Sequence, residues 1–417
     1  MNDRWYKLDN AAKIFPPTTD NNDPQVFRFS VELKEMVDKD KLQEALDETI
    51  DDYPIFRSTL KKGFFWYYLE EVNVKPVVTE ENNLPCEKIN GELLCRITYY
   101  KKRINLEVYH ALTDGTGTLL FLRSLVANYL NKKHHIKEIP ILDTSSAYEK
   151  AIDSFKKYYQ HDGKGKKIKH YKAYQIKDLR YPEDHIKIIE GVMDVNEILK
   201  KAKEKEVTLT VYLTALLIKS IISEMTIKDY KKEITIQVPV NLRKYFPSDT
   251  VRNFFNVIAI KYKVKENKIV LDDIIQDVDK QFKSYLSKDN LSKNMNSFSV
   301  LENILLVRLI PRVIKDFVLK IIYRYLKRYH TMTLSNVGIV QMPDVYSDYI
   351  NLFDVFTSTN GVQCCMCSYK EKLVISFTSH FMNTDIEKNF FREISMQGIE
   401  VLINTNQVRD SEIDEEM

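Results

Sequence analysis

A histidine stands four residues before an Asp-Gly pair in the segment INLEVYHALTDGTGTLLFLRSL, residues 104–125. Side chains alternate between two faces along a strand, so the pattern places His110 on the same buried face as Leu106 and Val108. An imidazole held rigidly at a strand end, with a pKa near neutrality, is suited to act as a general base. The alternative is a structural role, because an inward histidine at a strand end is often only a hydrogen-bonded core residue.

The residues after His110 predict a sharp turn that opens a helix. Gly115 offers a backbone without side-chain restriction, and Asp114 or Thr116 offers an oxygen that can cap the helix. The inner stripe of this helix is predicted to consist of Leu119, Leu122, Val126 and Tyr129. Strand, turn and helix together would hold the imidazole at the inner edge of a sheet.

The chain is long enough for two halves, and its pattern suggests that they are degenerate copies. At 417 residues it exceeds one ordinary core. Residues 368–403 repeat the plan of residues 99–130: a hairpin, a strand that ends in His, a short turn with Asp and a helix. We predict a first half at 1–150, a crossover at 151–185, a second half at 186–408 and an acidic tail at 409–417.

Charge and composition exclude several classes of protein. Lys and Arg number 62 against 59 Asp and Glu, and the basic residues do not gather in one arm, so we expect no nucleic-acid partner. The N-terminus lacks a signal-peptide core, and no run of eighteen apolar residues occurs, so we expect a cytoplasmic protein. Cys364 and Cys367 lie in a strand-like run that places their thiols on opposite faces, so we predict buried cysteines and no metal.

Residues 305–329, LLVRLIPRVIKDFVLKIIYRYLKRY, are basic and apolar at helical spacing. We interpret them as a core helix with a solvated Lys and Arg edge. A peripheral membrane contact is the less favoured interpretation.

Several segments carry a resemblance to a known family. HALTDG resembles the His-x-x-x-Asp-Gly signature of the chloramphenicol acetyltransferase-like superfamily, which includes condensation domains, plant acyltransferases and alcohol acetyltransferases. VPVNLRKYF and RNFFN resemble its Arg strand and crossover, and TLSNVG resembles the strand that lines its channel. RWYKLDNAAKIFP resembles the opening of the bacterial alcohol acetyltransferase-like branch.

The resemblance implies an α/β fold of two similar halves, each a mixed sheet packed with helices. The halves would form a V-shaped pseudo-dimer with a tunnel between them. His110 would be the general base, while Asp114 and Gly115 shape its turn and Arg243 pairs with Asp114.

The resemblance also implies the reaction. The protein would move an acyl group from a thioester, acyl-CoA and above all acetyl-CoA, to the hydroxyl of a small alcohol. Ser335 and Asn336 are candidates for the oxyanion site or the substrate channel. Acyl-CoA would be a co-substrate, with no permanently bound cofactor and no metal, and we expect a monomer.

Other functions stay open on the sequence. One is a free-standing condensation-like enzyme that uses carrier-protein thioesters or an amine acceptor, although Tyr109 stands where condensation domains carry a second His. Another is a thioester or ester hydrolase. The third is a non-catalytic binding or membrane-peripheral protein that kept the scaffold.

Overall fold

The computed structural model describes residues 4–136, 145–159, 172–181, 185–265, 269–303 and 309–406. Much of the predicted crossover, at 160–171 and 182–184, lies outside the described residues. So does the acidic tail at 409–417. The predictions for those segments, and the proposed domain boundaries, stay predictions.

The described part of the chain alternates helices and strands. The helices are α1 Phe15–Thr18, α2 Lys39–Asp52, α3 Gly115–His134, α4 Ala147–Ala151, α5 Ser154–Tyr158, α6 Val195–Glu204, α7 Leu209–Glu224, α8 Leu271–Tyr285, α9 Lys288–Asn303, α10 Arg312–Leu326 and α11 Asp385–Ser395. The strands are β1 Trp5–Lys7, β2 Val26–Leu33, β3 Ser58–Lys62, β4 Tyr67–Glu71, β5 Thr79–Glu80, β6 Cys95–Tyr100, β7 Arg103–Tyr109, β8 Lys187–Asp194, β9 Glu233–Asn241, β10 Phe255–Lys263, β11 Met332–Ile339, β12 Ile350–Thr357, β13 Val362–Tyr369, β14 Lys372–Ser379 and β15 Leu402–Thr405.

The first half is built on a five-stranded sheet of order β12-β2-β7-β6-β5. Helices α2 and α3 pack together beside this sheet, and they share one hydrophobic core with β2, β6 and β7. The apolar stripe of α2 is fully buried in that core and consists of Leu42, Ala45, Leu46 and Ile50. The half is completed by the small antiparallel sheet β1-β4-β3.

The second half is built on a seven-stranded sheet of order β10-β9-β11-β13-β14-β8-β15. Helix α7 is buried on almost every side in its core, which explains why this helix is apolar all round. Thr208 caps α7, because its hydroxyl accepts a hydrogen bond from the backbone N–H of Val211 at 3.4 Å.

The predicted internal repeat is present in the fold. The hairpin β6–β7 runs into His110 and α3, and the hairpin β13–β14 runs into His380 and α11. The second histidine is buried, and its Nε2 bonds to the backbone carbonyl of Asn22 at 3.1 Å. His380 is therefore a structural residue that ties the two halves together.

Two strands that complete the first sheet, β2 and β12, are not predicted from the sequence. Strand β2 pairs antiparallel with β7, with Phe29 opposite Leu106. Strand β12 comes from late in the chain and pairs antiparallel with β2 from Ile350 to Thr357. The first sheet therefore includes a strand exchanged from the second half of the sequence, which closes the two halves into one body.

Helix α10 corrects the interpretation of residues 305–329 as a core helix, although residues 305–308 lie outside the described residues. Only one residue of α10, Lys315, is buried, and most apolar side chains of the helix face solvent, while Leu319 and Tyr323 are half-buried. Core packing is therefore wrong for this helix, because the polar side of the helix contacts the protein.

All five cysteines are free and buried. Cys364 packs in the core of the second half and Cys367 in that of the first half, as alternation along β13 predicts.

Within the described ranges, no group of His, Cys, Asp or Glu side chains could hold a metal ion. Across the same ranges, no single helix has the length and hydrophobicity to cross a membrane; α6 and α7, joined at an 85° bend, meet both limits only as a pair.

Gly117, and not Gly115, is the glycine that the fold requires at the start of α3. A Cβ on Gly115 would meet Phe29 and Val337 at 3.6 and 4.0 Å, which is ordinary contact, and its φ is not positive. A Cβ on Gly117 would lie 1.9 Å from the backbone oxygen of Val251 in the second half. The prediction that Gly115 enables a special turn is therefore wrong, and close packing at Gly117 sets the glycine requirement.

We expect Gly117→Ala to lower the free energy of unfolding by at least about 1–3 kcal/mol, because backbone must move to admit the methyl group. Gly115→Ala is the matched control and should leave the urea midpoint close to that of the parent. Equal midpoints for the two variants would contradict the close approach of α3 to Val251.

Candidate active site

A cavity of about 510 Å³ lies between the two halves, and both contribute to its wall. The first half supplies His110, Asp114 and Gly115, and the second half supplies Ser335 and Asn336. The structure therefore brings five of the six residues selected from the sequence to one cavity. Its volume is within the usual range of small-molecule sites.

His110 follows β7 directly and is enclosed by aromatic rings. Phe15 stacks on the imidazole with 4.4 Å between ring centroids, and Phe27 and Phe255 lie at 4.8 and 5.7 Å. Burial lowers the pKa of His110 below its usual 6.5, and it outweighs the hydrogen bonds and the Asp114 charge that raise it. The ring is therefore neutral at pH 7, and it still reaches the cavity.

Asn253 determines which nitrogen of His110 carries the proton. Its amide N–H group donates to the backbone carbonyl of His110 at 3.1 Å and toward the Asp9 carboxylate at 3.4 Å. This orientation leaves Asn253 Oδ1 as the atom that lies 3.2 Å from His110 Nδ1. Because Oδ1 can only accept, Nδ1 carries the hydrogen and Nε2 keeps its lone pair. Among the described residues, no side chain bonds to Nε2, so we expect this nitrogen to be the one that meets a substrate.

Asp114 and Arg243 form a bidentate ion pair between the two halves. Arg243 donates from its two terminal nitrogens to Asp114 Oδ2 at 2.8 Å and Oδ1 at 3.2 Å. The same carboxylate accepts from the backbone N–H groups of Gly117 at 3.0 Å and Phe254 at 2.8 Å. Asp114 therefore caps α3 and anchors the start of β10, and all its oxygens are occupied away from His110.

Ser335 and Asn336 lie on β11 at the far wall of the cavity. The Asn336 side chain is engaged in the fold, because it donates to Thr210 at 2.8 Å and accepts from the backbone N–H of Gly338 at 2.8 Å. The Ser335 hydroxyl has no partner within the described ranges. Of the two, Ser335 is the one free to donate to a bound molecule.

Several residues of the site have no prediction from the sequence. Asp23 and Gln25 line the cavity beside His110, and burial raises the pKa of Asp23 to about 6. Gln25 has a left-handed backbone with φ of 57°, and its carbonyl accepts the backbone N–H of His110 at 2.9 Å. Asn253 lies within the quoted segment RNFFN, but nothing in that segment indicates a contact with His110.

Residues 128–386 match the family described as alcohol acetyltransferase, and this match covers more than half of the chain. The chain therefore belongs to the alcohol acetyltransferase family, and it is an acyltransferase. The matched residues include Arg243, Ser335 and Asn336 but begin after His110. The chain has no significant match to a curated protein sequence.

Solved structures share the two-lobed fold. Polyketide synthase associated protein 5 from Mycobacterium tuberculosis is 12% identical, with a TM-score of 0.61 over 93% of this chain and 96% of that one. Trichothecene 15-O-acetyltransferase TRI3 from Fusarium sporotrichioides is 9% identical, with a TM-score of 0.62 over 94% of each chain. A mutant starter condensation domain of rhizomide synthetase, solved with C8-CoA, is 10% identical, with the same TM-score and coverage. At such low identity these similarities establish the fold alone.

We expect Asp114→Ala and Arg243→Ala each to cost about 3–5 kcal/mol in unfolding free energy, because either change leaves a buried charge unpaired. The double variant should cost less than the sum of the two, which urea denaturation can measure. Glu44→Ala, which breaks the exposed pair with Lys41, is the control and should cost at most about 1 kcal/mol. Single variants at Asp114 and Arg243 that unfold like the parent would refute the pair.

We expect 15N NMR to show that the His110 ring carries its proton on Nδ1 and has a pKa below 6.5. The His110 signal is assigned by its absence from the spectrum of His110→Gln. Asn253→Ala removes the acceptor and one bond that favours the charged ring, so the pKa should fall further. Asn360→Ala, which lies in the same cavity wall, is the control. An unchanged pKa and proton position in Asn253→Ala would show that Asn253 does not hold the ring.

Proposed function

We propose that this protein transfers an acyl group from an acyl-CoA, acetyl-CoA above all, to the hydroxyl of a small alcohol, with His110 as general base. The observation that carries the proposal is a neutral imidazole that bonds through Nδ1 to Asn253 and lines a cavity shared by both halves. Membership of the alcohol acetyltransferase family supports acyl transfer. The C8-CoA bound to the rhizomide synthetase domain supports a CoA thioester as donor.

In the proposed reaction, His110 Nε2 takes the proton from the acceptor hydroxyl as its oxygen attacks the thioester carbonyl. The tetrahedral intermediate carries its charge on the former carbonyl oxygen, and the free hydroxyl of Ser335 is the candidate donor to it. Collapse breaks the carbon–sulfur bond, and the imidazolium returns the proton to the departing sulfur. The products are an ester and free CoA, and His110 ends neutral.

The electrostatics of the site fit this sequence of steps. A general base must be deprotonated at the working pH, and burial keeps His110 in that basic form at pH 7. The aromatic rings around it exclude water, which would compete with the alcohol for the acyl group. Asp114 is committed to Arg243 and serves only to hold the turn.

Three alternatives remain as outcomes to be measured. A carrier-protein thioester or an amine could replace the CoA donor or the alcohol. Water could be the acceptor, which would make the protein a hydrolase. A non-catalytic binding protein would turn over no thioester at all. A cytoplasmic location and a monomeric state also stay proposals.

We expect His110→Ala to lower turnover of acyl-CoA with alcohols at least about 100-fold, because the general base is lost. Mass spectrometry of products from mixed acyl-CoAs, alcohols and amines measures the loss and identifies the acceptor. His380→Ala is a matched histidine control outside the proposed chemistry, compared at equal folded fraction. A fully active His110→Ala variant would end the proposal.

The same assay gives a pH dependence with a definite sign. Activity should fall on the acid side as His110 becomes protonated, with a midpoint below 6.5 because burial lowers its pKa. If the free carboxylic acid of the acyl group forms at the same rate with and without alcohol, the protein is a hydrolase instead.

A further inference from the structure

Helix α10 is oriented with its polar side toward the protein. Asp316 accepts a hydrogen bond from the Tyr67 hydroxyl of β4 at 2.9 Å, and the Lys315 ammonium lies 3.7 Å from the centre of the Trp66 ring. Lys315 also donates to the backbone carbonyl of Phe65 at 3.2 Å. These contacts fix the helix to the tip of the β3–β4 hairpin, so its orientation is set by specific polar bonds.

The opposite side of α10 is a continuous apolar surface. Its members recur four residues apart and are 45–68% exposed: Val313, Ile314, Phe317, Val318, Ile321, Ile322, Tyr325 and Leu326. The hairpin tip extends the surface with Phe64, which is 74% exposed and accepts the backbone N–H of Arg312 at 2.9 Å. Isolated exposed apolar residues are common, but a contiguous stripe of this length marks an interaction surface.

The charge beside this stripe is of one sign. Lys320, Arg324 and Arg328 are exposed, and their spacing of four residues places them in a row along α10 and the turn after it. The acidic residue of α10, Asp316, lies on the protein side and is paired. An apolar stripe bordered by cations is complementary to a bilayer with anionic headgroups.

We propose that α10 and the β3–β4 tip form a peripheral membrane-binding surface that seats this protein on an anionic lipid bilayer. The helix has 15 residues, fewer than the roughly 20 needed to span, so it lies in the plane of the interface. Tyr323, Leu326 and Lys327, at the end of the same helix, line the cavity of His110. The bilayer would then lie beside the cavity mouth, from which apolar molecules could enter.

The charge pattern favours lipid over a second copy of this chain as the occupant. In a symmetric dimer the same patch meets itself, and the rows of Lys320, Arg324 and Arg328 from two copies would be brought together. Like charges at an interface oppose association, whereas anionic headgroups neutralise them. Binding to lipid does not depend on the proposed reaction.

Flotation of the full chain with vesicles tests the proposal. The protein should bind vesicles of phosphatidylcholine with phosphatidylglycerol, and far less those of phosphatidylcholine alone. Replacing Lys320, Arg324 and Arg328 by Gln should weaken binding roughly 100-fold, at about 1 kcal/mol for each cation. F317S/I321S should abolish it, because both anchoring side chains are lost.

Matched controls separate this surface from general stickiness. I227S/M396S removes two apolar side chains that are even more exposed, at 79% and 80%, from outside α10 and the hairpin, and it should bind like the parent. Only variants whose thermal unfolding midpoint equals that of the parent are compared. No binding to either vesicle, equal binding by F317S/I321S, or a dimer that F317S/I321S converts to monomer would each overturn the proposal.

Discussion

The ion pair between Asp114 and Arg243 is the constraint on which the rest of the site depends. One carboxylate accepts hydrogen bonds from the guanidinium of the second half, from the backbone N–H of Gly117 in the first turn of α3 and from that of Phe254 just before β10. Arg243 in turn donates to the backbone carbonyls of Thr250 and Arg252, so the irregular segment before β10 is held as well. A paired, fully hydrogen-bonded buried charge has a single favourable arrangement, and this arrangement defines the turn after His110.

His110 receives its chemical character from groups outside its own segment. The rings of Phe15 and Phe27 come from the N-terminal region, while Phe255 and Asn253 come from the second half. The rings lower the affinity of the imidazole for a proton, and the amide decides where the remaining hydrogen sits. A base of this kind needs both halves in place, which explains why the cavity lies at their junction.

Strand β12 and helix α10 both belong to the second half of the sequence and contact the first half, but these two contacts have different consequences. Strand β12 adds to the first sheet and gives the junction a rigid backbone connection. Helix α10 contributes to the cavity wall at one end but presents an apolar surface to its surroundings along its length. The fold therefore combines a rigid junction between the halves, which positions the His110 imidazole, with an outer helix, α10, whose exposed face is apolar.

The sequence by itself determined the elements that depend on local periodicity and on one distinctive motif. The hairpin repeat, the buried alternation of Cys364 and Cys367 and the family all followed from it. Only the tertiary structure decided the interactions between distant segments: the exchange of β12, the glycine requirement at Gly117 and the outward face of α10. Periodicity shows that a helix has an apolar side but does not show what that side contacts. For the same reason the bond from Asn253 to His110, across 143 residues, could not be read from spacing.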